Sequence, residues 1–158
     1  MKAATLREIK KELSLHSHEN LQELCLRLTR FKKENKELLT YLLFESTNEE
    51  AYINSIRRYV ENEFELINRS SLFYIRKSVR KILRNLKKYI RYSQKKETEV
   101  ELLLHFCEQL KAFRPNIKRS QQLVNTYTRQ IALIKKTVTT LHEDLQYDYN
   151  LKLEELNH

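Results

Sequence analysis

The sequence predicts an all-α protein, and three observations carry that expectation. The 158 residues include no glycine and one proline. Hairpin turns and strained loops draw on residues with φ > 0, which glycine supplies at least cost, so a β fold is excluded first. Apolar residues then recur at alternating spacings of three and four through most of the chain, the period of a helix with one buried face. Finally, Leu, Lys, Glu, Arg and Gln are abundant, and all favour helix. The expected architecture is an antiparallel up-down bundle of five long helices plus a short N-terminal helix, forming one domain over 1–158. A solenoid-like stack of helical hairpins is the alternative.

The elements follow in order. Thr5-Leu-Arg-Glu8 has the spacing of a capping box and opens a short helix over about 5–14. After the polar connection 14–20, Asn20 is placed to cap a helix carrying Leu21, Leu24, Leu28, Phe31, Leu38 and Leu42. The spacing predicts one long helix to Glu45, with a turn near Lys33–Lys36 as the alternative, since Asn35 interrupts the heptad. A second box, Thr47 to Glu50, opens a helix to about Asn68 with Ile53, Ile56, Val60, Phe64 and Ile67 on its face. Ser70 or Ser71 caps the next helix. Thr98 to Glu101 is a third box and starts a helix to about Phe113. Its Val100, Leu102, Leu103, Leu104, Phe106, Cys107 and Leu110 cover more than one side, which marks it as the most buried element. Beyond Pro115, the heptad Val124, Tyr127, Ile131, Ile134, Val138, Leu141 and Leu145 predicts a last helix over 116–147. That face can pack within the bundle or against a second subunit.

Charge is distributed far from evenly. The segment from Leu66 to Lys96 holds eleven Lys and Arg and no acidic residue, and it accounts for the net charge of +9. Leu72, Ile75, Val79, Ile82, Leu86 and Tyr89 form its apolar face. Lys77, Lys81, Arg84, Lys88, Arg91 and Lys95 form a second stripe, widened by Arg76, Arg80 and Lys87. The result is a cationic rod about 35 Å long at 1.5 Å per residue. Three readings follow. Acidic helices on either side, with Glu49, Glu61, Glu63, Glu97, Glu99 and Glu101 among them, can neutralise the stripe internally, and that reading comes first. The stripe can instead bind nucleic acid, with Tyr92 as a stacking residue and Tyr89 assigned to the core. Or it can dock an acidic protein or an anionic membrane surface.

Other chemistry finds little support. Without glycine there is no Walker or dinucleotide phosphate loop. A di-iron bundle needs Glu-x-x-His twice on facing helices, whereas Glu101 and His105 are four apart, with Glu108 on the same face. His16 and His18 do not close a zinc site by themselves, and His142-Glu143 lacks the second histidine of a zinc-protease motif because Gln146 stands there. Cys25 and Cys107 sit in apolar patterns and are expected to be buried free thiols packed in the core, as in a reducing compartment. No targeting run opens the chain, and no apolar run is long enough to span a bilayer. These readings predict a cytoplasmic, non-catalytic helical interaction or scaffold protein without cofactor or metal. The alternative is a nucleic-acid-binding protein, and the second alternative a metal-containing bundle enzyme.

Two resemblances lie in the N-terminal part. The run LREIKKELSLHSHENLQELCLRL resembles the two-helix SAP module that binds DNA, with Leu6, Ile9, Leu13, Leu21, Leu24 and Leu28 at the core positions. It departs from that module in lacking the glycine of the inter-helix turn and in balancing its basic residues with acidic ones. The run LQELCLRLTRFKKENKELLTYLLFE, residues 21–45, is similar to the opening of a family of small all-helical bacterial proteins with no assigned activity. That similarity implies a bacterial cytoplasmic protein and nothing about its chemistry.

Overall fold

Residues 1–157 are described by a computed structural model, and His158 lies outside the described residues. They are all-helical, with no strand among them: α1 Leu6–Leu13, α2 His18–Phe31, α3 Lys33–Thr40, α4 Glu49–Glu65, α5 Leu72–Ser93, α6 Lys96–Ala112, α7 Gln121–Val138 and α8 Glu143–Asn157. A π-helical turn, Tyr41–Glu45, follows α3, and a 3-10 turn, Ile117–Arg119, precedes α7. The chain forms two compact units, residues 1–44 and the remainder, where the sequence reading has one domain. No Gly- or Pro-rich linker marks the boundary, so composition carries no sign of it.

The N-terminal unit contains α1, α2 and α3. The capping box at Thr5 is present in full: the Thr5 hydroxyl accepts from the Glu8 N–H, and Glu8 accepts from the Thr5 N–H at 2.7 Å. Those bonds hold the Glu8 carboxyl below its usual range. Ser17, not Asn20, caps α2, accepting from the Asn20 N–H at 3.2 Å. The single long helix expected over 20–45 is broken at Lys32, whose backbone is extended. Asn35 supplies the reason. Its side-chain amide donates to the Leu28 carbonyl at 2.7 Å, taking up one of the acceptors that a helix end leaves unpaired. None of the three helices contains a buried residue.

The C-terminal unit is an up-down bundle of α4 to α8. The five long helices expected are not these five. The expected helix 20–45 lies in the other unit as two pieces, and the expected helix 116–147 is α7 plus the start of α8. Thr137, Thr139 and Thr140 end α7, each hydroxyl donating to a backbone carbonyl three or four residues back. Gln146 then donates to the Leu141 carbonyl at 2.8 Å. Two expected caps also move. Asn48 rather than Thr47 caps α4. Helix α6 starts at Lys96, so Thr98 lies inside it, buried, with its hydroxyl donating to Glu49 at 2.6 Å.

Helix α6 is the hub, packing on α4, α5, α7 and α8. In a solenoid each hairpin meets only its neighbours, so the stacked-hairpin alternative does not describe this unit. Val100, Leu102, Leu103, Leu104, Phe106, Cys107 and Leu110 are all buried, as their spread around the helix implies. Phe106 packs on Phe64 with ring centroids 5.7 Å apart, and Phe113 meets Phe64 at 5.9 Å. Ile131, Ile134 and Val138 of the expected α7 face are buried inside this unit, as is the neighbouring Leu123, while Val124, Tyr127, Leu141 and Leu145 are half-buried. The α5–α6 connection turns through Gln94 at φ 58°, the only positive-φ residue among those described. Glycine would take that conformation at lower cost, and here a glutamine holds it.

Candidate anionic-partner surface

Helix α5 buries Ile75, Val79, Ile82, Leu86 and Ile90, with Ser93 at its end. The seam drifts by one residue from the expected face, so that Ile90 replaces Tyr89 in the core, and Tyr89 is half-buried. A strict heptad drifts about 20° per repeat around a straight helix, and over 22 residues that is enough to exchange neighbours.

Antiparallel packing of α4 against α5 decides which cations are neutralised. Lys81 lies 3.5 Å from Glu63, and Lys95 lies 3.0 Å from Glu49, so moving 14 residues back along α4 moves 14 forward along α5. Asn85 donates to the Tyr59 hydroxyl in the same register at 2.8 Å. Glu49 also accepts from Ser93 and Thr98. Lys88 stands 4.9 Å over the Tyr89 ring, and Lys96 pairs with Glu99 at 3.2 Å. One edge of the stripe is thus tied into the bundle.

The other edge is not. Lys77, Arg80, Arg84 and Arg91 are exposed and Lys87 is half-buried, and none of the five is paired with a carboxylate among the described residues. Arg80 donates to the Arg76 carbonyl at 3.3 Å, which holds its guanidinium along the helix; Arg76 is half-buried. Spacings of 3, 4, 3 and 4 place these five in one row opposite the buried face. At 1.5 Å per residue the row runs about 21 Å from Lys77 to Arg91.

The aromatic residues fall differently from the sequence reading. Tyr89 and Tyr92 meet edge-on at 6.1 Å, and Tyr59 packs edge-on against Tyr89 at 5.5 Å. Tyr92 is half-buried in this ladder rather than presented for stacking. Phe73 and Tyr74, which the sequence reading passed over, are exposed and meet edge-on at 5.5 Å. Phe73 stands four residues before Lys77, so it heads the cationic row. That four-residue step was the available sequence signal, hidden because Phe73 adjoins Leu72 and reads as part of the apolar face.

Glu101, His105 and Glu108, the carboxylates and histidine that share one face of α6, lie against charged or polar neighbours. Glu101 binds Arg57, accepts from the Tyr149 hydroxyl at 2.9 Å and from Lys152 at 3.1 Å. Burial and then Glu101 push the Tyr149 phenol well above its usual range. His105 lies 3.2 Å from Glu61 and 3.6 Å from Glu108, and its hydrogen bond is the main cause holding Glu108 below the usual carboxylate range. A cleft of about 790 Å³ runs beside Glu49, Arg57, Lys95, Glu101 and Lys152. Its charges already neutralise one another. Burial raises the Cys107 thiol to about 12, the opposite of what a nucleophile needs. Cys25, expected in the core as well, is exposed instead, because α2 buries no residue. No cluster of three His, Cys, Asp or Glu side chains suited to a metal ion occurs among the described residues, and none of their helices is long and apolar enough to cross a membrane. No protein-family model, curated protein or solved structure matches the chain.

Proposed function

We propose that this protein is a non-catalytic helical binding module whose ligand is nucleic acid with unpaired bases, held on the outer row of α5. The observation that carries the reading is the row itself: Phe73, Lys77, Arg80, Arg84, Lys87 and Arg91 at helical spacing, with its cations free of carboxylate partners. Unpaired cations over about 21 Å suit an extended polyanion, because each phosphate they neutralise releases condensed counterions. An exposed aromatic pair at the head of the row suits a base, whose flat face stacks without regard to sequence. An acidic protein is the weaker fit, since a protein interface needs an apolar core and the cation row carries none between Lys77 and Arg91.

A salt titration with a single-stranded oligonucleotide tests this. With five phosphates neutralised, the logarithmic slope should be about −3.5, which is roughly a 100-fold loss of affinity between 50 and 200 mM salt. The triple variant Lys77→Gln/Arg84→Gln/Arg91→Gln should flatten the slope by about 2, while Phe73→Ala should weaken binding by about tenfold and leave the slope unchanged. Absence of binding at low salt, or equal binding by the triple variant, refutes the proposal.

A further inference from the structure

The N-terminal unit, independently of α5, leaves its apolar residues uncovered. Leu6, Ile9 and Leu13 form one row on α1, and Leu24, Leu28 and Phe31 form another on α2, each row at spacings of three and four. All six are exposed, Leu28 by 60% and Phe31 by 77%. Leu42, Leu43 and Phe44 in the π-helical turn are exposed as well. Between α2 and α3 lies a cleft of about 220 Å³ lined by Cys25, Leu28, Leu38, Leu39 and Leu42. Tyr41 is the only buried residue described in the unit.

Charge selects what covers such a surface. Residues 1–44 hold nine Lys and Arg against six Glu, a net +3. A second copy would bring +3 against +3, a repulsive juxtaposition. An anionic surface is attracted. The cations are also suitably placed. Lys10 lies beside the α1 row and Arg27 beside the α2 row, one step round each helix. From there an aliphatic stem can follow the apolar side chains while the charge stays at headgroup level. Short amphipathic helices with exposed Leu and Phe and adjacent Lys and Arg have the make-up of elements that lie in a bilayer interface without spanning it.

We infer that the N-terminal unit docks on an anionic lipid surface, inserting Leu6, Ile9, Leu13, Leu24, Leu28 and Phe31 between headgroups.

The test uses the full chain and the absence of native tryptophan. Phe31→Trp places a single reporter at an exposed position. Its emission should shift to the blue on vesicles of phosphatidylcholine mixed with phosphatidylglycerol, should not shift on phosphatidylcholine alone, and should be quenched by brominated acyl chains. Leu24→Ser/Leu28→Ser/Phe31→Ser should lower partition onto the mixed vesicles by at least about tenfold. Because these side chains are exposed, helix content by circular dichroism should be kept. The α5 row would itself attract anionic lipid, so Lys77→Gln/Arg84→Gln/Arg91→Gln is added to the Phe31→Trp chain, and the blue shift should persist. The inference is overturned by an unshifted emission on mixed vesicles. It is equally overturned if the serine variant partitions like the wild type, which would assign the attraction to α5. A blue shift that grows with protein concentration in the absence of lipid overturns it in favour of a second copy.

Discussion

Replacing Glu101 by alanine should be among the most damaging single changes outside the apolar core. Its carboxylate is 17% exposed and takes three donors: the Arg57 guanidinium, the Tyr149 hydroxyl and the Lys152 ammonium. Arg57, on α4, is 33% exposed, and its Nε already lacks a partner. Tyr149 and Lys152 are on α8, so one side chain of α6 ties together helices from both ends of the unit. Hydrogen bonds to a charged group contribute about 1.5–3 kcal/mol each when buried, and stranding a buried charge costs about 3–5 kcal/mol. Arg57 and Lys152 reach solvent and recover part of that, so the expected loss is about 3 kcal/mol. At this chain length each kcal/mol lowers Tm by about 2–4 °C, hence a fall of about 6–12 °C. Glu101→Gln keeps an acceptor for Tyr149 and should cost about half as much, while Lys152→Ala, at the exposed end, should cost under about 1 kcal/mol. Urea unfolding followed by circular dichroism reads all three, and a double-mutant cycle with Arg57→Ala should return a coupling above about 1 kcal/mol. If Glu101→Ala unfolds within about 0.5 kcal/mol of wild type, or Lys152→Ala costs as much, the network does not tie the helices as described.

The remaining predictions concern the buried acids. A thiol reagent at mildly alkaline pH should modify one cysteine per native chain, Cys25, and two after denaturation, because Cys107 is buried with its thiol raised to about 12. Two labelled cysteines in the native protein would contradict the packing of α6. Cys107 and Tyr149 both hold their protons more tightly folded than unfolded, so their contribution to stability is complete below the unfolded values and is lost above them. Stability should therefore fall from about pH 9 by up to about 1.4 kcal/mol per pH unit through Cys107, and more steeply above about pH 10, where Tyr149 joins. Cys107→Ala should abolish the decline between about pH 9 and 10 and reduce the slope above about pH 10 to the tyrosine part alone, and an unchanged profile in that variant would refute the assignment.

The α5 stripe shows where reading a sequence stops. Its cations and its helical period are visible in one dimension, and so is the abundance of Glu on either side. Pairing is not, because it depends on the register of α4 against α5. That register gives Glu63 to Lys81 and Glu49 to Lys95, while Glu61, Glu101 and Glu108 turn to His105, Arg57, Tyr149 and Lys152. The internal-neutralisation reading therefore applies to one edge of the stripe only. Tyr92 is half-buried and Phe73 exposed for the same reason: a helical wheel ranks residues by angle, and the neighbouring helix decides which angles are covered.

By itself the sequence determined that the chain is helical, that α6 lies deepest, that Thr5 opens α1 and that the charge is concentrated on one helix. Each follows from local periodicity, from capping chemistry or from the lack of glycine, and these act within a few residues. Tertiary structure decided how the chain divides into two units and which cations remain open, whereas the helix breaks are local but leave little mark on the apolar period. Breaks at Lys32 and Thr139 depend on side chains that take up backbone carbonyls, as Asn35 and Gln146 do. The open row on α5 and the uncovered helices of the N-terminal unit are properties of surfaces, and a surface exists only once the helices have chosen their neighbours.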